Sequence, residues 1–237
     1  MILRQFLHTE RVAISSLFGC GGKAAAGVVD PVGHIASYFK AARETGMRVR
    51  YVIDTHMHAA RMSAGRRLAE AAGADYVLFA EANAVSPFRG ARDGNVLPPG
   101  NVSDQVRHTP GHTPEQIPLL VTDRTRSDEP WFALTDHTLM VGDVGRTELG
   151  ATAEEAAHIL FRSPQRLKVL PGKFAGSLCG RRLSSKPVSA IGSEQRHNMA
   201  FRIEDEEAFV RAMSEEIPPP PPGAAKLRAA NAGLELI

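Results

Sequence analysis

The chain has 237 residues, 43% of them hydrophobic and 23% charged, which is enough for one large α/β domain with a substantial core. A formal net charge of +2, with no basic stripe interleaved with aromatics, argues against nucleic acid as a partner. No apolar run reaches the ~20 residues of a membrane helix, and two distant cysteines, Cys20 and Cys179, argue against a disulfide scaffold and for a reducing cytoplasm.

In chain order the pattern alternates strand and helix. Val12-Ala13-Ile14 and Ala26 to Asp30 read as a hairpin turning at Gly19 to Gly22. The apolar stretch ahead of Cys20 contains Ser15 and Ser16, too short and polar for a signal core. Ile35, Phe39 and Ala42 recur at helical spacing before Gly46, a C-cap glycine. Val49 to Ile53 is a buried strand, Ser63 caps a helix through Ala72, and Asp75 to Phe79 is a strand. Residues 83–104 are rich in Gly, Pro and Asn and read as loop. Short strands are expected at Val106 to Thr109, Ile117 to Val121 and Leu139 to Val141, then a helix over Ala153 to Phe161 and a strand at Leu167 to Leu170. Pro218 to Pro222 is a polyproline II spacer by composition.

Three motifs sit at expected strand ends. Thr55-His56-Met57-His58-Ala59-Ala60-Arg61 offers two imidazoles two residues apart, which point the same way from a strand end or turn. Thr109-Pro110-Gly111-His112-Thr113 is a tight turn presenting one imidazole. Leu139-Met140-Val141-Gly142-Asp143 reads as a strand ending in a carboxylate. His137 has no partner spacing and receives no role.

Together, from about residue 10 to 200, these motifs resemble the metallo-β-lactamase superfamily, whose signature reads His-x-His-x-Asp-His. The resemblance implies an α/β fold: an αββα four-layer sandwich of two mixed β-sheets, with the metal site at one edge. Residues 1–215 would form this domain. Residues 216–237 would be a proline-rich, connector-like tail, with no second domain expected. The likeness is strongest to the persulfide dioxygenase branch, which includes members linked to rhodanese domains and lies near glyoxalase II. It rests on Val141 to Thr147, Ala175 to Gly180, Ser184 to Pro187, Ile191-Gly192, Arg196-His197-Asn198 and Ala224 to Leu227.

By this resemblance the first metal's ligands are His56, His58, His112 and Asp143. The second metal's private ligands are replaced by Ala60, Arg61 and Lys173. One metal at most is therefore expected: Fe(II) held by residues matching His56, His112 and Asp143, or alternatively one Zn(II), or none. Arg61 and Lys173 could replace the charge of a second metal and act catalytically, or repel a dication altogether. Cys179 would lie near the substrate sulfur, and Arg146 would bind a substrate carboxylate. The implied activity is oxidation of a thiol persulfide to sulfite; the alternatives are thioester or ester hydrolysis, or a metal-free role built on Arg61 and Lys173. A second copy in a homodimer and a rhodanese on a separate chain are the candidate protein partners.

Overall fold

Alternating burial in the first half of the chain builds one sheet with a layer on each side. In the computed structural model, which describes residues 1–149, 152–163, 170–171, 188–215 and 217–234, six strands form this sheet in sequence order. They are β1 (Ile2–His8), β2 (Ala13–Cys20), β3 (Ala25–Val29), β4 (Arg48–Ile53), β5 (Asp75–Phe79) and β6 (Arg89–Ala91). β1, β2 and β3 pair antiparallel, whereas β3 to β6 are parallel. Successive side chains on a strand face opposite ways. Leu17, Val28, Val52 and Leu78 thus pack with Tyr38 of α1 (Ala36–Glu44) and Leu68 of α2 (Gly65–Ala72). Their neighbours Phe18, Val29, Ile53, Val77 and Phe79 pack toward the second sheet.

The second sheet runs β11-β10-β9-β8-β7. Its strands are β7 (Val96–Leu97), β8 (Val102–Val106), β9 (Leu119–Asp123), β10 (Phe132–Asp136) and β11 (Leu170–Pro171). All pair antiparallel except β10 with β11. Leu97, Val102, Val106, Leu119, Val121 and Leu134 complete the layer between the sheets. A third cluster, with Leu139, Val144, Leu160, Phe209 and Val210, lies under α3 (Ala153–Arg162) and α6 (Glu206–Ser214). Between these two helices come α4 (Ile191–His197) and α5 (Met199–Arg202); α7 (Ala224–Ala232) is last. Both sheets are mixed and the fold is the expected α/β sandwich. Among the described residues no helix is long and apolar enough to cross a membrane.

Several expectations are corrected. β1 has no counterpart in the expected elements, because its burial is only intermittent. Residues 83–104, expected as loop, hold β6, β7 and the start of β8. The strand expected at 106–109 lies earlier, at Val102–Val106. Residues 139–141 form a turn, not a strand: Leu139 is apolar because it packs under α3 and α6. The strand of that region, β10, ends at Asp136. Part of the strand expected at 167–170 falls outside the described residues. The connector-like tail is packed: Ala232 joins the cluster beneath α1 and α2, and Ala232 O accepts from Val85 N.

Candidate metal centre

Strand ends bring the site together. β3 delivers Asp30, β4 delivers Asp54, Thr55, His56 and His58, and β10 ends in Asp136 followed by His137. Asp30 and Asp136 have φ of +50° and +42°, left-handed values uncommon for non-glycine residues and typical of constrained sites. Thr55 ties two of the strand ends together. Its backbone N–H donates to Asp30 Oδ1 at 2.8 Å. Its hydroxyl lies 2.9 Å from Asp30 Oδ2 and 3.0 Å from Asp136 Oδ2. The Thr109 to Thr113 turn brings His112. Gly145 matters here, because a Cβ on it would stand 2.9 Å from the His112 ring and 2.8 Å from His137 O.

The ligating face of each ring is set by what its other nitrogen touches. Asp136 Oδ2 lies 2.8 Å from His56 Nδ1 and 2.5 Å from His137 Nδ1. His112 Nδ1 donates to Arg146 O at 2.8 Å, leaving Nε2 as its lone-pair nitrogen. The His112 and His137 rings stack 4.2 Å apart at 7°, and His56 stands nearly perpendicular to both. Each of His56, His112 and His137 offers one nitrogen within 4.8 Å of the others. Burial lowers the pKa of His56 to about 3 against the opposing pull of Asp136. Burial, then His137 and His56, hold His112 well below the usual histidine range. Both are therefore neutral imidazoles, the form that binds metal. Burial would raise Asp136, but His137 and His56 hold it well below the carboxylate range.

A cavity of about 10 Å³ lies among His56, His58, Ala60, Arg61, His112, His137 and Leu149, large enough for one small atom or ion. Three anchored imidazoles around such a space, two of them held neutral by burial, fit a single transition metal. A second metal fits less well. Ala60 has no donor, and Arg61 is a buried cation whose Nη2 lies 3.2 Å from His58 Nε2. At ~4 Å, two like unit charges repel by about 4 kcal/mol at an effective dielectric near 20. Arg61 Nε and Nη1, Asp54 Oδ1 and Asp136 Oδ1 are buried without a hydrogen-bond partner among the described residues. His58 Nδ1 lies 3.1 Å from His56 Nε2, and its Nε2 lies 3.2 Å from Asp30 Oδ1. Burial and the charge of Asp136 push Asp30 up to about 8.

The residues expected from sequence divide into those brought together and those not. His56, His58, Arg61 and His112 line one cavity. Asp143 belongs to none of the three groups of convergent donors among the described residues, and here the expectation is corrected. The reason is the strand end: β10 stops seven residues before Asp143. Asp143 is buried in the following turn, where its Oδ1 accepts from Val144 N and its carbonyl accepts from Asn198 Nδ2. His137 takes the fourth position beside Asp136. Its signal was the Asp-His pair ending the apolar run from Phe132. Arg146, expected to hold a substrate carboxylate, has a buried guanidinium that donates to Glu148 and to the carbonyls of Pro218 and Pro219. Lys173 and Cys179 lie outside the described residues.

The C-terminal segment also holds the motif, which sequence reasoning missed. Asn231 Nδ2 donates to His58 O at 2.8 Å and Arg61 O at 2.9 Å, while Asn231 Oδ1 accepts from Ser63 N. Arg228 Nη1 donates to Met57 O at 3.0 Å.

No protein-family model matches the chain. It is 24% identical to the mitochondrial persulfide dioxygenase ETHE1 of Bos taurus over 216 residues, which span 90% of this chain and 80% of that protein. A metallo-β-lactamase from Staphylococcus aureus subsp. aureus COL superposes with a TM-score of 0.92 at 28% identity, covering 99% of this chain and 73% of that one. ETHE1 from Myxococcus xanthus superposes with a TM-score of 0.82 at 27% identity, covering 99% of this chain and all of that one.

Proposed function

We propose that this chain, which belongs to the metallo-β-lactamase fold superfamily, is a single-metal oxygenase that converts a low-molecular-weight thiol persulfide to a free thiol and sulfite. The observation that carries the reading is the convergence of His56, His112 and His137 on one small cavity. By the family resemblance, Ala60 and Arg61 replace donors that a second metal would need. Likeness to ETHE1 proteins in sequence and structure supports the substrate class.

The reaction balances as one persulfide, one dioxygen and one water giving one thiol, one sulfite dianion and two protons. The S–S bond breaks and the terminal sulfur is oxidised. Bound iron would supply oxygen activation and open coordination positions for substrate. The chain's own residues do the rest. Asp136 and Arg146 O fix the imidazole faces, and the surrounding burial excludes bulk water. Arg61 Nε and Nη1, buried without a partner among the described residues, would donate to an anionic substrate sulfur, since such donors are costly to bury unpaired.

A second reading is hydrolysis of a thioester or ester with one zinc. Three imidazoles oriented by a carboxylate and a carbonyl suit zinc as well as iron, and zinc would supply a water of lowered pKa. Metal content of anaerobically purified protein, measured with oxygen uptake on glutathione persulfide, decides between them. The oxygenase requires about one iron per chain and one sulfite per oxygen consumed. Zinc with thioester cleavage supports the second reading. No metal, with none taken up on reconstitution, overturns both and leaves a metal-free role for Arg61 and Lys173.

A further inference from the structure

A cavity of about 760 Å³ lies beside the histidines, with Phe79, His108, Glu115, Leu149, Ile159 and Arg228 in its wall. Leu149 also lines the small cavity at the histidines, and Pro110 and Gly111 of the His112 turn line the larger one, so the two spaces adjoin. Among the described lining residues Arg228 is the sole lysine or arginine. Each carboxylate in the wall already has a donor. Glu81 pairs with Arg92, Glu148 with Arg146, and Glu115 Oε1 accepts from Met57 N. The Arg228 side chain is 24% exposed, with Nη1 on Met57 O and Nη2 3.8 Å from Glu115 Oε1. These contacts hold the guanidinium against the residue between His56 and His58. They leave several of its five N–H donors for a ligand.

We propose that Arg228 is a specificity-determining residue. It holds a carboxylate of a carboxylate-bearing thiol persulfide whose sulfur end passes Leu149 toward His56, His112 and His137. The inference rests on the proposed oxygenase activity for the sulfur end. The Arg228 site itself is read from the larger cavity. Arg146 was expected to do this work from the sequence, but its donors go to Glu148, Pro218 and Pro219. The C-terminal helix therefore supplies the cation.

Glutathione, with two carboxylates, and its diethyl ester, which keeps the ammonium group but has neither carboxylate, are the probes, in both persulfide and thiol forms. On the parent protein the acid persulfide is expected to have a KM lower than that of the diester by about tenfold, the size of one charge-assisted hydrogen bond. In Arg228→Gln this preference for acid over diester should vanish, and Arg228→Lys should restore most of it. Calorimetric binding of glutathione and of its diester gives the same comparison without turnover. A parent that oxidises no persulfide therefore sinks the proposed activity while the Arg228 reading is still decided by binding. Equal affinity of the parent for acid and diester overturns the inference even if Arg228→Gln does not fold. An equal loss for both ligands in Arg228→Gln also overturns it, since that is the effect of a merely structural contact with Met57.

Discussion

Asp136 Oδ2 accepts from His137 Nδ1 at 2.5 Å, and the same oxygen lies 2.8 Å from His56 Nδ1. One carboxylate oxygen thus orients two of the three imidazoles. Outer partners of this kind, when removed, cost 10- to 100-fold in metal affinity, in order of magnitude. Asp136→Asn keeps the shape, and asparagine tolerates the left-handed backbone at this position. It should weaken metal binding by roughly that factor, beyond any loss of stability that removing the ionised Asp136 causes in the metal-free protein. A competitive chelator titration measures it. Unchanged affinity would remove Asp136 from the centre.

The second metal position should be recoverable. Ala60→Asp, Arg61→His and Lys173→His together replace a buried cation and restore the donors that two-metal relatives use. Metal content should rise from about one toward two per chain, read by mass spectrometry after reconstitution. If the triple variant binds no more metal than the parent, Arg61 does not stand in the second metal's place.

Asn231 joins three backbone groups of the His56 to Ser63 segment from a helix some 170 residues away in sequence. Asn231→Ala leaves two buried carbonyls and one N–H without this partner. The expected loss of stability is about 2–4 kcal/mol, measured by chemical denaturation of the metal-free protein. A loss below about 0.5 kcal/mol would mean that the C-terminal helix does not clamp the motif.

Asp104 of β8 is fully buried, and neither carboxyl oxygen has a hydrogen-bond partner among the described residues. Burial raises its pKa well above the ordinary 3.8. With the folded pKa raised, its contribution to stability is full below the unfolded pKa near 4 and is lost as pH rises toward the folded pKa. Asp104→Asn carries no such loss. The stability of the Asn variant relative to the parent should therefore increase between pH 4 and pH 7, by up to about 1.4 kcal/mol per pH unit. Denaturant midpoints of both proteins across that range test it; a constant difference would contradict the raised pKa.

The alternation of strands and helices was legible in the pattern, and the two-sheet sandwich in the resemblance that the motifs carry; adjacent residues such as Leu17 and Phe18 then face two different layers. His56 and His112 were legible because each lies in a motif with local spacing. His137 was not. Its partners Asp136, His56 and His112 meet it through the packing of two sheets, and the apolar run at Leu139 to Val141 imitates a strand end at Asp143. Leu139 and Val141 are buried in a turn, and Leu139 is apolar because it lies under α3 and α6. Periodicity cannot separate these causes in a five-residue run. The C-terminal clamp was illegible for a related reason. Asn231 and Arg228 act on backbone carbonyls, which carry no sequence signal, and the prolines before them read as a spacer.

The centre stands on His137 as a ligand and on Asp143 as a turn residue, so the most direct measurement is metal stoichiometry in two single variants. The proteins are purified anaerobically, reconstituted with ferrous iron or zinc, and analysed by mass spectrometry. His137→Ala should fall from about one metal per chain to nearly none, while Asp143→Asn, whose Oδ1 can still accept from Val144 N, should keep its metal. Metal retained in His137→Ala and lost in Asp143→Asn would contradict the three-histidine centre and return the carboxylate to the position expected from sequence.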